Sequence, residues 1–173
     1  DAIPNAPLRV LDACVGTAAS ALVVAGRNDR NQIQGIDVSD AMLSTARRKI
    51  AQSHLTNLEV VNMSAADMRY ADASFDVVMV SFALHEFEKE LREKVFQEVA
   101  RVLKPGGIFC VIDFARQDSR LNRVFLKVWK RVEPPGFTDY LDLDWRTHLT
   151  PYGLCFESER EYSFSKLYLL RKA

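Results

Sequence analysis

Leu8-Arg9-Val10-Leu11-Asp12-Ala13-Cys14-Val15-Gly16-Thr17 opens the chain's first regular stretch, and Gln32-Ile33-Gln34-Gly35-Ile36-Asp37-Val38-Ser39-Asp40 follows it after a run of small apolar residues. The first segment predicts a strand over residues 8–14 that turns tightly into a small helix over 17–25. The second predicts another strand over 32–38. Across the chain as a whole, apolar strands that are continuous rather than alternating, separated by helices, mark a parallel sheet covered on both faces. Each ends in a short loop that carries a carboxylate, Asp12 or Asp37, beside small residues. A βαβ unit with a small-residue turn and an acid at the end of its second strand is the frame of a nucleoside site.

The same alternation continues outward from this unit. A helix is expected over 41–51 with Ser39 as its cap, a strand over 58–63, and a strand over 75–82 (FDVVMVSF). A helix over 89–103 places Leu91, Val95, Val99 and Val102 on one face, and Lys104-Pro105-Gly106-Gly107 stops it before a fifth strand over 108–114. Beyond 115 the rhythm changes. An apolar stripe of Leu121, Val124, Phe125, Val128 and Val132 faces away from Arg120, Arg123, Lys127, Lys130 and Arg131, and Pro134-Pro135-Gly136 ends that helix. A short helix over 139–149 and two closing strands over 154–160 and 164–170 complete the reading. The expected fold is α/β, a doubly wound, Rossmann-like, mostly parallel sheet of seven strands with the last antiparallel.

Composition narrows the function classes. The 173 residues carry 23 Lys plus Arg and 23 Asp plus Glu, so no bulk charge draws the chain to nucleic acid. Cys14, Cys110 and Cys155 are far apart, as are His54, His85 and His148, so neither a zinc site nor a disulfide framework is expected, and a reducing cytoplasmic location is. No apolar run reaches the roughly 18 residues of a membrane span. The basic face at 120–131 suits a solvated surface or weak peripheral contact with an anionic membrane. The chain opens at Asp1, without Met and close to its first strand, so an excerpt or a trimmed product lacking an upstream segment is expected.

Ligands of an open parallel sheet sit beyond the carboxyl ends of its strands. There the first loop (Asp12, Ala13, Cys14, Gly16) leaves room for a ligand to approach backbone. Asp37 is placed to accept ribose hydroxyls. Ala66-Asp67-Met68 pairs an acid with an apolar neighbour, as an adenine ring requires. Three such loops on one edge point to an adenosine compound. His85, beyond the fourth strand, stands where a base is wanted, and Asp113 closes the fifth strand at the same edge. Tyr140 and Trp145 are candidates either for the core or for an acceptor pocket.

Together these segments carry a resemblance. Val10-Leu11-Asp12-x-Cys14-x-Gly16-Thr17, Gly35-Ile36-Asp37-x-Ser39-x-x-Met42-Leu43, Ala66-Asp67-Met68, Phe75-Asp76 and Leu103-Lys104-Pro105-Gly106-Gly107 resemble the class I S-adenosylmethionine-dependent methyltransferases over residues 8–114. Asp113-Phe114-Ala115 and Ser81-Phe82-Ala83-Leu84-His85-Glu86-Phe87 are similar to the ubiquinone/menaquinone C-methyltransferase branch. The resemblance implies S-adenosyl-L-methionine as cofactor and S-adenosyl-L-homocysteine as product. Asp12, Ala13, Cys14 and Gly16 would lie along the methionine part, Asp37 at the ribose, Val38 and Met42 near the adenosine, and Asp67 and Met68 at the adenine. Ser81 and Phe82 would close the methionine end, with His85 and Asp113 as catalytic groups. It further implies one domain over 1–173: a cofactor-binding core (8–114), a helical substrate-side segment (115–153) and closing strands (154–173).

The departures are specific. Cys14 and Ala18 stand where the family usually has Gly, and His85-Glu86 replaces the Arg-Asn of the quinone branch. Methyl transfer to a small-molecule acceptor, a quinol or other phenol-like compound, is the leading expectation. A degenerate domain that binds the cofactor without turnover is the alternative. A nicotinamide-dependent dehydrogenase is disfavoured, because the first loop lacks Gly-x-Gly-x-x-Gly. Oligomeric state is not legible in the sequence.

Overall fold

A computed structural model describes residues 7–115 and 136–173. The predicted basic helix at 120–131 lies outside the described residues. Seven strands form one sheet: β1 (Arg9–Ala13), β2 (Gln32–Asp37), β3 (Leu58–Asn62), β4 (Phe75–Ser81), β5 (Leu103–Phe114), β6 (Leu154–Glu161) and β7 (Ser165–Lys172). Their order is β3-β2-β1-β4-β5-β7-β6. The first five strands pair in parallel, and β7 is antiparallel to both β5 and β6, as the sequence predicts for the last strand.

Adjacent residues of one strand enter opposite core layers, which is why the strands read as unbroken apolar runs. Val10, Val77, Met79 and Ile108 pack with Ala21 and Ala25 of helix α1 (Ala19–Arg27) and with Leu43 and Ala46 of helix α2 (Asp40–Ser53). Leu11, Val78, Val80, Phe109 and Val111 pack with Val95, Phe96 and Val99 of helix α3 (Lys89–Val102). Ser39 caps α2 as expected, its hydroxyl accepting the Met42 N–H at 3.3 Å.

Three boundaries depart from the sequence reading. β5 begins at Leu103 rather than 108, because Leu103 already pairs with Phe75 before the ladder shifts and resumes at Ile108 opposite Val77. The helix predicted over 139–149 is confined to Phe137–Leu141. Asp144 ends any continuation by turning back on its own backbone, accepting the Arg146 N–H at 3.0 Å and the Thr147 hydroxyl at 2.7 Å. The closing strands run to 161 and 172. Tyr140 and Trp145 are core residues, Trp145 stacking on Tyr168 with ring centroids 4.5 Å apart. Among the described residues no helix is long and apolar enough to cross a membrane.

In this order β1 is joined to β2 on one side and lies against β4 on the other. The chain therefore leaves the carboxyl ends of β1 and β4 in opposite directions and opens a crevice there.

Candidate functional site

The first loop is built from unusual backbone. Cys14 (φ 88°), Gly16 (φ 51°) and Ala18 (φ 62°) all occupy the left-handed region. The Cys14 and Val15 N–H groups both donate to the Ile36 carbonyl, at 2.9 and 2.8 Å. The Asp37 carboxylate binds the turn from the other side, accepting the Gly16 N–H at 2.8 Å and the Ser39 N–H at 2.9 Å. Gly35 permits this approach, since a Cβ there would come within 2.7 Å of Val15 Cγ2. Holding side chains in left-handed backbone costs about 1 kcal/mol each. Cys14→Gly should therefore raise stability by about 1 kcal/mol in chemical denaturation and withdraw a thiol from the ligand's path. Ala18→Gly should gain less, because the Ala18 methyl is fully buried in the core.

This loop forms one wall of a cavity of about 510 Å³, inside the range of small-molecule sites. Asp12, Asp37 and Glu86 line it, and no lysine, arginine or histidine does among the described residues. Asp12 is 1% exposed, and its Oδ1 has no hydrogen-bond partner among the described residues. Burial, reinforced by the Asp37 charge and opposed by the Ala21 N–H, pushes its carboxyl up to about 7. The Cys14 thiol is pushed far above its ordinary range by burial and then by Asp37, Asp12, Glu86 and Asp113, so it is not a nucleophile at neutral pH. The mouth is apolar: Val38, Met42, Phe82 and Leu91 are exposed there, and Phe82 holds φ 52° at the end of β4.

Of the residues singled out from sequence, Asp12, Cys14, Gly16, Asp37, Val38, Met42, Ser81 and Phe82 share this cavity. Ala13 is fully buried beneath the loop. Asp67 is exposed, while Met68 is buried in the core and donates its N–H to Glu98 at 2.7 Å. The third loop instead presents Met63, Ser64, Ala65 and Ala66 to the cavity. His85 and Asp113 meet, Nδ1 lying 2.6 Å from Oδ1, but 4% and 0% exposed they stand behind the wall rather than in it. Thr17, Ser20 and Ser64 were not foreseen. The Ser20 hydroxyl donates to Ser81 Oγ at 3.0 Å across the crevice, and its only trace in the sequence is a polar residue in the first turn of an apolar helix.

The arrangement favours a ligand with positive charge and an apolar, ring-bearing body. The first loop lacks the Gly-x-Gly-x-x-Gly turn that brings a pyrophosphate onto backbone N–H groups, and its Gly16 N–H is already taken by Asp37, which disfavours a dinucleotide there.

Comparison with known proteins agrees with this geometry. Residues 10–107 match the family model described as "Methyltransferase domain". A demethylmenaquinone methyltransferase of Listeria welshimeri is 31% identical over 160 residues, covering 91% of this chain and 65% of that protein. Its counterpart in Listeria monocytogenes is 31% identical over 88% of this chain and 62% of its own length. The chain thus spans somewhat less than two thirds of the curated relatives it matches. Among solved structures, an S-adenosylmethionine-dependent methyltransferase from Aquifex aeolicus superposes with a TM-score of 0.74 at 20% identity, covering 96% of this chain and 82% of that one. The [4+2]-cyclase SpnF gives the same score at 19% identity, covering 96% and 74%, so the fold is shared beyond methyl transfer. With more than half of its residues matched by the family model and the expected sheet and crevice in place, the chain belongs to the methyltransferase domain family.

Proposed function

We propose that this chain binds S-adenosylmethionine in the acidic cavity and directs methyl transfer to a small, phenol-like acceptor such as a quinol. The observation that carries the reading is the buried Asp12 carboxylate, one oxygen of which has no partner among the described residues, in a cavity that those residues line with acids and no bases. An unpaired buried acid is costly unless something cationic meets it. S-adenosylmethionine fits that demand with an ammonium and a sulfonium, and its sulfonium supplies an electrophilic methyl group.

The chain's own residues do the rest. Asp12 and the first loop would hold the methionine part, with the Ser20–Ser81 hydroxyl pair beside it. Asp37, already anchoring Gly16, would present its carboxylate to the ribose. Val38, Met42, Ala65 and Ala66 would bracket the adenine, the last two in place of the expected Asp67 and Met68. The apolar rim at Phe82 and Leu91 would seat the acceptor and exclude water, so that much of the rate comes from alignment. That rim, and the likeness to the demethylmenaquinone methyltransferases of Listeria, support a quinol-like acceptor.

Calorimetry tests this reading. S-adenosylmethionine should bind with micromolar affinity and reduced nicotinamide dinucleotide should not. Because the free protein holds Asp12 protonated up to about pH 7, and a bound cation favours its ionised form, affinity should rise with pH through about 7 and then level. Asp12→Asn should abolish that pH dependence. Linkage gives the opposite sign for the ligand-free fold. An acid whose folded-state pKa is raised contributes full stability below its ordinary range, and that stability falls as pH rises to about 7. Absence of S-adenosylmethionine binding at pH 8 would overturn the reading.

A further inference from the structure

The cavity wall that follows β4 differs from the wall around Asp12 and Asp37. Phe82, Phe87, Leu91 and Val95 give it apolar surface, and among the described residues Glu86 is the one charged side chain it carries. Phe82 leaves β4 in left-handed backbone, φ 52°, with its N–H donating to the Ile112 carbonyl at 2.9 Å and its ring edge-on to Phe114 at 5.5 Å. Such strain persists where the surroundings hold it, and here it keeps the ring at the cavity mouth. The turn Leu84–Glu86 then buries Leu84 and leaves Glu86 on the cavity with a side chain that is 63% exposed. His85 Nε2 comes within 4.0 Å of Glu86 Oε1, beyond hydrogen-bond reach, and no described residue hydrogen-bonds this carboxylate. Ser81, the hydroxyl at the end of β4, is engaged with Ser20 of α1. A carboxylate accepts hydrogen bonds and donates none. Covered by a flat apolar ligand it loses water, a cost that a hydrogen-bond donor on the ligand offsets. A carbonyl oxygen in the same place would meet it lone pair to lone pair.

We propose that Glu86 is a specificity-determining residue: it accepts a hydrogen bond from the acceptor's hydroxyl, and so admits a phenol or quinol and rejects the carbonyl form of the same ring, a quinone. The inference rests on the methyl-transfer reading. The hydroxyl keeps its proton in this contact, so the step is one of recognition. A neutral donor is favoured over an ammonium for two reasons. The neighbouring side chains are apolar, and the transferred methyl arrives on a sulfonium, whose charge repels a second cation.

Equilibrium dialysis of two-ring probes against the full chain, saturated with sinefungin, tests this. Sinefungin carries an amine in place of the sulfonium and has no methyl group to transfer. 1-Naphthol presents a hydroxyl, 1-methoxynaphthalene a blocked oxygen, 1-tetralone a carbonyl and 1-naphthylmethylammonium a charge. Wild type should bind 1-naphthol about 30-fold tighter than the ether or the ketone, as a hydrogen bond to a charged group warrants. In Glu86→Gln, whose amide donates as well as accepts, that preference should shrink to within about threefold, the ketone gaining most. The exposed control Glu90→Gln should keep the wild-type order. A wild type with no preference for the hydroxyl overturns the assignment. So does a preference that survives in Glu86→Gln, since it would then be one of size, and so does tighter binding of 1-naphthylmethylammonium than of 1-naphthol. The three neutral probes should keep their order on the cofactor-free chain, so the two readings fail separately. Absence of S-adenosylmethionine binding at pH 8 sinks methyl transfer, and loss of the probe order sinks the role of Glu86.

Discussion

Replacing Asp37 with alanine raises the dissociation constant of S-adenosylmethionine by about 100-fold or more, a loss of roughly 3 kcal/mol. Two contributions add. Within the protein, Asp37 accepts the backbone N–H of Gly16 at 2.8 Å and of Ser39 at 2.9 Å, and so fixes a turn in which residues 14, 16 and 18 all sit in left-handed backbone. Without the carboxylate, that turn can relax away from the shape the ligand meets. Towards the ligand, the same oxygens would accept ribose hydroxyls, a charge-assisted contact worth 1.5–3 kcal/mol in general. The variant should still fold, since Asp37 is half-buried at the end of β2 and its loss leaves no closed cavity. Asp37→Asn should bind better than the alanine variant but worse than wild type, because its amide keeps one acceptor and turns a donor toward a backbone N–H. Isothermal calorimetry with circular dichroism as the folding check decides the matter. Binding within threefold of wild type in Asp37→Ala would mean that the turn holds itself. A second sign is available in the same titration. Asp37 helps raise the Asp12 carboxyl, so in Asp37→Ala the pH dependence of binding should move to lower pH.

What could be read from the sequence was what is local in it. Strand, loop and acid follow one another within a few positions at Asp12 and Asp37, so both carboxylates fall on the crevice as expected. The third loop shows where that logic stops. Ser64 through Met68 is a short turn in which one residue of shift exchanges a wall position for an exposed or buried one. Nothing in the letters distinguishes Ala66, which lines the cavity, from Asp67, which does not. The His85–Asp113 contact, spanning 28 positions, depends on the parallel register that sets Ser81 opposite Ile112. Sequence placed both residues on the same edge without showing that Asp113 would hold the imidazole behind the cavity wall and that Glu86 would stand at its surface. The Ser20–Ser81 pair, 61 positions apart, was invisible for the same reason. Turns after 141 failed for another: Asp144 accepts the nearby Arg146 N–H in competition with a helix, and propensity alone underrates that.

Asp113→Ala carries the second large effect, on stability. Asp113 is fully buried and accepts three backbone N–H groups together with the His85 ring, so its removal strands four donors in the interior at once. Breaking one side of such a buried charged network costs about 3–5 kcal/mol, far more than the network is worth against a well-packed apolar substitute. In a domain of this size that lowers Tm by about 10 °C. Urea denaturation should show the midpoint falling with the slope unchanged, the signature of lost stability rather than of an altered unfolded state. Asp113→Asn should lose about half as much. Its amide keeps the shape and one acceptor, but sets an N–H₂ against either His85 Nδ1–H or the Leu84 N–H. A contrast within the molecule sharpens the test. Glu157 also makes two bonds to a guanidinium, from Arg171 at 2.8 and 3.0 Å, yet those side chains are 41% and 45% exposed. Water compensates such a pair, and Glu157→Ala should change stability by less than about 1 kcal/mol. If the two alanine variants unfolded at similar urea concentrations, the buried pair would be no more than a surface ion pair in a deeper place, and the claim that Asp113 holds His85 rigidly behind the cavity would fall with it.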